Sequence, residues 1–417
     1  FFSLLCVLRT TYRSMSENQQ PLLHEVVHGG TVASDVTTTP AATKSQGHRL
    51  ASLDLMRGYI MTVMAFDHSR DFFHAAPGNT ESWNGPLVDY DNNVGVWLQR
   101  FLSHFCAPGF FYTMGIGMSL FFEARKKREW SDWQIVKHFL VRGCLLLVFG
   151  RLVNVPIVMK FFALYLVGRL SDVAPEVDRL SGGNYAAFAF CGVFEVLTAL
   201  GVSMVAVALF MPSFFKLRRL GCWNRWLSCG QAVSFLLGAA VFVLSDAVLT
   251  HAQLSDPCAH SSSTLPNCTN PNRTVAFPLY AARADTFGQV LGRFLYAPGL
   301  YSDGVIVYPL VPWVGIALFG LTAGPEFRAN PQKAHRRSLQ LGVLCLILFF
   351  FVRVFGGSYG NLRGWPFGEG SSVEWIDFFT LTKYPPSITY ALLTLSLDLT
   401  LLWLFQRLHD YTATTKI

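Results

Sequence analysis

Charge is scarce in this chain. Asp, Glu, Lys and Arg make up 14% of its 417 residues, against about 25% in a typical soluble domain. So little charge excludes a disordered chain, which combines low hydrophobicity with high charge. It also excludes a nucleic-acid binder, whose footprint is a dense basic face. Nine cysteines in so long a chain are too few for a disulfide-rich secreted scaffold. Neither their spacing nor that of the histidines suggests a zinc site, so no metal is expected. No internal repeat stands out. What the chain has instead is apolar surface: 52% of residues are hydrophobic, 36 of the total are Phe, and the mean hydropathy is +0.35. That exceeds what one soluble core can bury, and it points to a bilayer as the partner.

The apolar residues gather in eight runs, approximately 53–73, 97–122, 133–153, 187–211, 227–249, 305–323, 339–355 and 387–405. A helix of about 20 residues spans a hydrocarbon core. Helices are the expected form because lipid offers backbone groups no partners. The predicted fold class is therefore all-α, a polytopic membrane bundle of about eight transmembrane helices. A further apolar stretch at 155–169 reads as interfacial or re-entrant. Residues 1–47, rich in Thr, Ser, Gln, Gly and His, read as a disordered cytosolic tail. Because the chain begins at Phe1, Met15 reads as the true start and residues 1–14 as an artefact. Residues 48–410 then form the membrane domain.

Orientation follows from two independent rules. Basic clusters follow alternate spans: Arg125-Lys126-Lys127-Arg128 after the second, Lys216, Arg218, Arg219 and Arg225 after the fourth, and Arg328, Lys333, Arg336 and Arg337 after the sixth. The positive-inside rule places these loops, and the N-terminus, in the cytosol. The loop 250–304 carries glycosylation sequons at Asn267 and Asn272, which are used only on the lumenal or extracellular side. Both rules give the same topology. Cys258 and Cys268 share that oxidising side, where a disulfide is favoured over two free thiols.

Chemistry concentrates in residues 49–75, RLASLDLMRGYIMTVMAFDHSRDFFHA. Ionisable groups in a membrane span face the protein interior or a water-filled path by default. At about 100° per residue, Arg57, Met61, Met64 and His68 share one stripe of the helix, and Asp67, Arg70, Asp71 and His74 another. Asp54 and Arg57 are three apart and can pair at the cytosolic end, where they could hold a phosphorylated ligand. His68 and His74, with Asp67 beside them, offer a general base at the outer end; a headgroup-level His74 and a neutralised Asp67–Arg70 pair are the structural alternatives. Arg142, in the third span, needs a partner or a ligand phosphate, and Glu195 is a candidate partner. His104 lines the same space or caps a kink at Pro108. Lys137 and His138 read as snorkelling to the cytosolic surface.

The run Leu53-Asp54-Leu55-Met56-Arg57-Gly58 opening a first membrane helix, with a polar pair eleven residues after the Arg, resembles the heparan-α-glucosaminide N-acetyltransferase family, and its bacterial and protist branch most. Further matches follow in order: HFCAPGFFYTMGIGMSLFF at 104–122, the Arg142-Gly143 to Asn154 run, GVFEVLTALGVSM at 192–204, YPLVPWVGIALFGLTAG at 308–324 and LTKYPPSITYALLTL at 381–395. The resemblance covers about residues 49–400. It implies transfer of an acetyl group from cytosolic acetyl-CoA to an amino-sugar or glycan acceptor on the lumenal or extracellular side. Acetyl-CoA would be the co-substrate, with Asp54, Arg57 and Arg142 in its binding site. His68, His74 and Asp67 would be the catalytic group. The family's functional His lies in an H-A-S-W-N-G stretch; here His74-Ala75-Ala76 matches its start, while Ser82-Trp83-Asn84-Gly85 stands further along. His68 occupies the position eleven after Arg57, where distant membrane acyltransferases carry a His, so His68 and His74 both stand for the principal role.

Direct transfer and an acetyl-histidine relay both remain open. Relatives continue past the eighth helix, so the resemblance also implies a truncated member. It implies an endomembrane, lysosome-like site or the plasma membrane. The implied partners are the lipid bilayer and the acceptor, with no nucleic acid, and with homo-oligomerisation open. The competing readings are a proton-coupled transporter with Asp67, His68 and Glu195 as its relay, and a catalytically inactive membrane protein.

Overall fold

The computed structural model describes residues 50–73, 81, 83, 93–166, 192–220, 228–255, 286–301, 304–362 and 374–414. They belong to one compact unit, Leu50–Ile417. The tail 1–47, His74 and the Cys258–Cys268 pair lie outside the described residues. The helices are α1 (Ala51–Phe73), α2 (Val94–Ser103), α3 (Cys106–Lys126), α4 (Asp132–Leu166), α5 (Val196–Arg219), α6 (Cys229–Ser255), α7 (Phe287–Leu295), α8 (Leu310–Ala329), α9 (Pro331–Phe355), α10 (Glu374–Phe379) and α11 (Ile388–Thr414). Three short strands, β1 (Val193–Phe194), β2 (Gly299–Tyr301) and β3 (Gly304–Ile306), form a small sheet in the order β1-β3-β2. β1 runs parallel to β3 and β2 antiparallel to it.

The protein is an all-α polytopic membrane protein. Among the described residues six helical segments are long and apolar enough to cross a bilayer: Val94–Lys126 (α2 with α3), α5, Cys229–His251 within α6, α8, α9 and α11. α1 and α4 are also long enough, at 23 and 35 residues. In α1 the apolar run is interrupted by Asp54, Arg57, Asp67 and His68. α9 exposes most of its apolar side chains, among them Ile347 and Phe351, as a lipid-facing helix does.

Several boundaries differ from expectation, and the sixth span starts at Leu310, after β3, instead of at 305. The stretch 155–169 is not re-entrant through residue 166: α4 continues unbroken to Leu166. The apolar run passes Pro156 without a turn sequence, and proline is tolerated inside membrane helices. The fourth span starts at Val196, not near 187. There β1 is extended, and the Glu195 side chain accepts the Leu197 N–H at 3.2 Å, capping the new helix.

Packing centres on α8, which lies against α3 on one side and α6 on another. Its crossings are made by small residues, as expected where lipid removes the hydrophobic drive between helices. A Cβ on Gly115 would overlap the Ala317 carbonyl oxygen, and one on Gly320 the Tyr112 carbonyl. Gly238 of α6 meets Gly315, and Gly143 of α4 meets Gly201 of α5. Trp313, Ile316, Ala317 and Leu321 are fully buried around this centre.

The three basic loops come to one end of the bundle. Glu123, near the end of α3, pairs with Arg218 from the end of α5 and with Arg328 from the end of α8, the latter at 3.2 Å. Arg337 pairs with Glu326 at 2.6 Å, and Ser52 bonds His335 at 2.7 Å, tying the start of α1 to the start of α9. The positive-inside rule makes this the cytosolic end. A Lys127→Cys variant is expected to react with a membrane-impermeant maleimide from that side only, and Tyr359→Cys from the other side only. The reverse pattern of labelling would overturn the orientation.

Candidate functional site

The two faces of α1 have different neighbours. Leu53, Met56, Ile60 and Asp67 point inward and are buried, with Asp67 only 8% exposed. Arg57, Met61, Met64 and His68 share the less buried face, and His68 is exposed. At the cytosolic end Arg57 donates from Nη2 to the Thr113 carbonyl at 3.1 Å. Its guanidinium lies over Gly117, where a Cβ would come within 2.7 Å of Nη2, so the glycine leaves the room the guanidinium occupies. Asp54 and Arg142 are the charges that act on Arg57. Asp54 stands one turn before Arg57 on α1, Arg142 stands on α4, and α3 supplies the carbonyl and the glycine that Arg57 meets. One turn from Arg142, His138 stacks on Phe121 with ring centroids 4.5 Å apart. It is held inward, whereas Lys137 is exposed at the surface.

At the other end a second ionic cluster centres on Arg100, which is 3% exposed. Its guanidinium grips Glu81 in a two-pronged pair, Nε to Oε1 at 2.6 Å and Nη2 to Oε2 at 2.5 Å, and reaches Asp67 from Nη1 at 3.2 Å. Fork-to-fork geometry of this kind is the strongest form of ion pair. Burial alone would raise the Glu81 carboxyl. The charges of Arg100, and behind it His104 and Lys383, outweigh that and draw it down to about 2. The Glu81 backbone is also engaged: its carbonyl accepts from the Lys383 and Tyr384 N–H groups at 2.8 and 3.1 Å, and Trp83 N–H bonds the Tyr384 carbonyl at 2.9 Å.

His104 stands at the break between α2 and α3. Its Nδ1 lies 2.6 Å from the Arg100 carbonyl. A carbonyl only accepts, so the proton sits on Nδ1 and Nε2 is the basic nitrogen. That nitrogen faces Glu81 Oε1 at 3.6 Å. Tyr390 donates to the His104 carbonyl at 2.7 Å. Lys383 is buried, with Nζ 5.3 Å from the centre of the Tyr384 ring. Arg353, 1% exposed, holds the segment that carries Lys383: it donates to the carbonyls of Asp377, Phe378 and Thr380 at 2.8–3.2 Å. Two carboxylates and two cations therefore balance in this cluster.

Several expected relations are corrected. Asp67, expected as the carboxylate beside the general base, is bonded to Arg100. Adjacent residues on a helix point about 100° apart, and Asp67 turns inward to Arg100 while His68 turns outward. Glu195 is not the partner of Arg142; it caps α5 beside Gly150 and Thr198, and the cation near it is Arg151, whose Nη2 donates to the Val193 carbonyl at 2.7 Å. Glu81, Arg100, Lys383 and the buried Asp398 were not singled out from the sequence. Arg100 and Asp398 each carry a readable signal, since each is the only Asp, Glu, Lys or Arg of its apolar run. Among the described residues no group of three or more His, Cys, Asp or Glu side chains converges as a metal site. No family model matches the chain, and no curated protein is significantly similar to it.

Proposed function

We propose that the protein is a membrane-embedded acyltransferase that uses acetyl-CoA from the cytosol and an amino-sugar or glycan acceptor on the far side. One observation carries the reading: a single face of α1 bears Arg57 at the cytosolic end and His68 about 16 Å further along, at 1.5 Å per residue, with only Met61 and Met64 of that stripe between them. The cations fit a phosphorylated ligand. Arg57 and Arg142 supply two positive charges, Asp54 orients the first, and Gly117 leaves space for the guanidinium. The thioester would supply the activated acetyl group.

His68 accepts the proton of the acceptor's amine or hydroxyl as it attacks the thioester carbonyl, and returns it to the departing thiolate. Asp67 is a positioning residue. Its pairing with Arg100 pins the turn of α1 that carries His68 to α2 and to Glu81. His74 remains the alternative base.

Radiolabelled acetyl-CoA offered to membranes, with a panel of amino sugars on the far side, tests the reading. His68→Ala is expected to lower transfer by about 10²–10⁴-fold while acetyl-CoA binding persists, and Arg57→Ala to weaken binding itself. Loss with His74→Ala alone would move the base to that residue. Undiminished turnover in both histidine variants would sink the proposal. The second reading, proton-coupled transport, is favoured by one observation, the buried Asp398 within α11. It requires substrate flux driven by a pH gradient without acetyl-CoA.

A further inference from the structure

Asp398 is the least explained charged residue of the bundle. It lies inside α11, 1% exposed, and among the described residues neither carboxyl oxygen has a hydrogen-bond partner. It is not a loose surface group. The carboxyl lies against Gly109, where a Cβ would come within 3.2 Å of Oδ1 and 3.3 Å of Oδ2. Ile60 of α1 closes the same point, and Cys106 Sγ is turned to the Ile60 carbonyl at 3.6 Å. The seam where α1, α3 and α11 meet is thus built around this carboxyl and leaves it without a donor.

The titratable groups close enough to feel its charge are Tyr59 from α1 and Cys106 and Tyr112 from α3, and Cys345 of α9 acts on Tyr112 in turn. α9 meets α11 nearby through Gly342, against Ser396 and Thr400. Among the described residues no ion pair reaches Asp398. The buried cations Arg100 and Lys383 pair elsewhere or stand apart, and among the described residues neither bonds Asp398. An ionised carboxylate without a donor or counter-charge in a bilayer is among the costliest arrangements a protein can hold. A carboxylic acid in the same place is not.

We infer that Asp398 is a proton-binding site, occupied in the resting protein, at the α1–α3–α11 seam. The inference goes beyond the acyl-transfer reading and depends on neither acetyl-CoA nor an acceptor. The proton makes the seam neutral. Its release would leave a bare carboxylate there and favour the parting of α11 from α1 and α3.

The test uses the full chain in lipid nanodiscs. N,N′-Dicyclohexylcarbodiimide reacts with protonated carboxyl groups in apolar surroundings. At neutral pH it is expected to label Asp398, found by mass spectrometry of the α11 peptide, while a water-soluble carbodiimide does not. The infrared C=O stretch of a protonated carboxylic acid is expected at the same pH and is lost in Asp398→Asn. Two results would overturn the inference: no label on Asp398 in folded wild-type protein, or labelling abolished by sodium at constant pH, which would make the seam a cation site. The labelling arm needs no variant, so it stands even if Asp398→Asn fails to fold.

Discussion

Arg100→Leu is expected to destabilise the protein by about 3–5 kcal/mol, the range found when one partner of a buried ion pair is removed. The substitution leaves Glu81 (1% side-chain exposure) and Asp67 inside the protein without the guanidinium that pairs both. Lys cannot replace the two-pronged grip, so Arg100→Lys is expected to recover only part of the loss. Thermal unfolding in detergent, followed by tryptophan fluorescence, reads the effect. An unchanged midpoint for Arg100→Leu would show that the cluster contributes nothing to stability.

The same cluster sets a pH dependence. The Glu81 carboxyl is depressed from its ordinary 4.5 to about 2. A depressed carboxylate contributes stability that is fully present above its unfolded value and is lost as pH falls through the folded one. The contribution of Glu81, roughly 3 kcal/mol by linkage, is therefore expected to be complete above about pH 4.5 and to vanish toward pH 2. Glu81→Gln is expected to flatten the unfolding midpoint across that window.

The second large effect is steric. Gly320→Leu is expected to prevent recovery of folded protein. Overpacking typically costs about 1–3 kcal/mol where side chains can yield. Here the first atom met is the Tyr112 carbonyl oxygen, followed by the backbone carbon of the same residue and the Cα of Gly115, and backbone cannot rotate away as a side chain does. Gly288→Leu is the control, because a Cβ at Gly288 meets nothing within 4 Å. Size-exclusion chromatography of the detergent-solubilised variants separates the outcomes. A folded, monodisperse Gly320→Leu would mean that α3 and α8 can separate without penalty.

Much of the fold is legible in the sequence because a bilayer restricts the options so strongly. Each of the eight apolar runs corresponds to a helix or helix pair, and Arg218 after the fourth run and Arg328 after the sixth meet at Glu123, just past the second. Boundaries are less legible. The apolar residues Val193 and Phe194 suit a strand as well as a helix, and the pairing with β3 and the cap at Glu195 decide between them. The site divides in the same way. Asp54 and Arg57 lie one helical turn apart, so sequence spacing alone brings them together. The Arg100 cluster draws on four separate segments, around residues 67, 81, 100 and 383. No spacing rule links residues that far apart, and Glu81 and Lys383 sit between spans where charge is ordinary. Asp67 illustrates the limit: its place in α1 is plain from sequence, but the direction in which it finds a cation is not.

The glycine crossings of α8 also have a mechanical meaning. With backbone resting on backbone at Gly115 and Gly320, α3 and α8 behave as one beam with no slack in it. Among the described residues α1 meets α2, α3, α11 and, through Ser52, α9, and makes no glycine crossing of this kind. Arg57 on the Thr113 carbonyl, Asp67 on Arg100 and Ser52 on His335 moor it to that beam's surroundings by polar links instead of backbone contact.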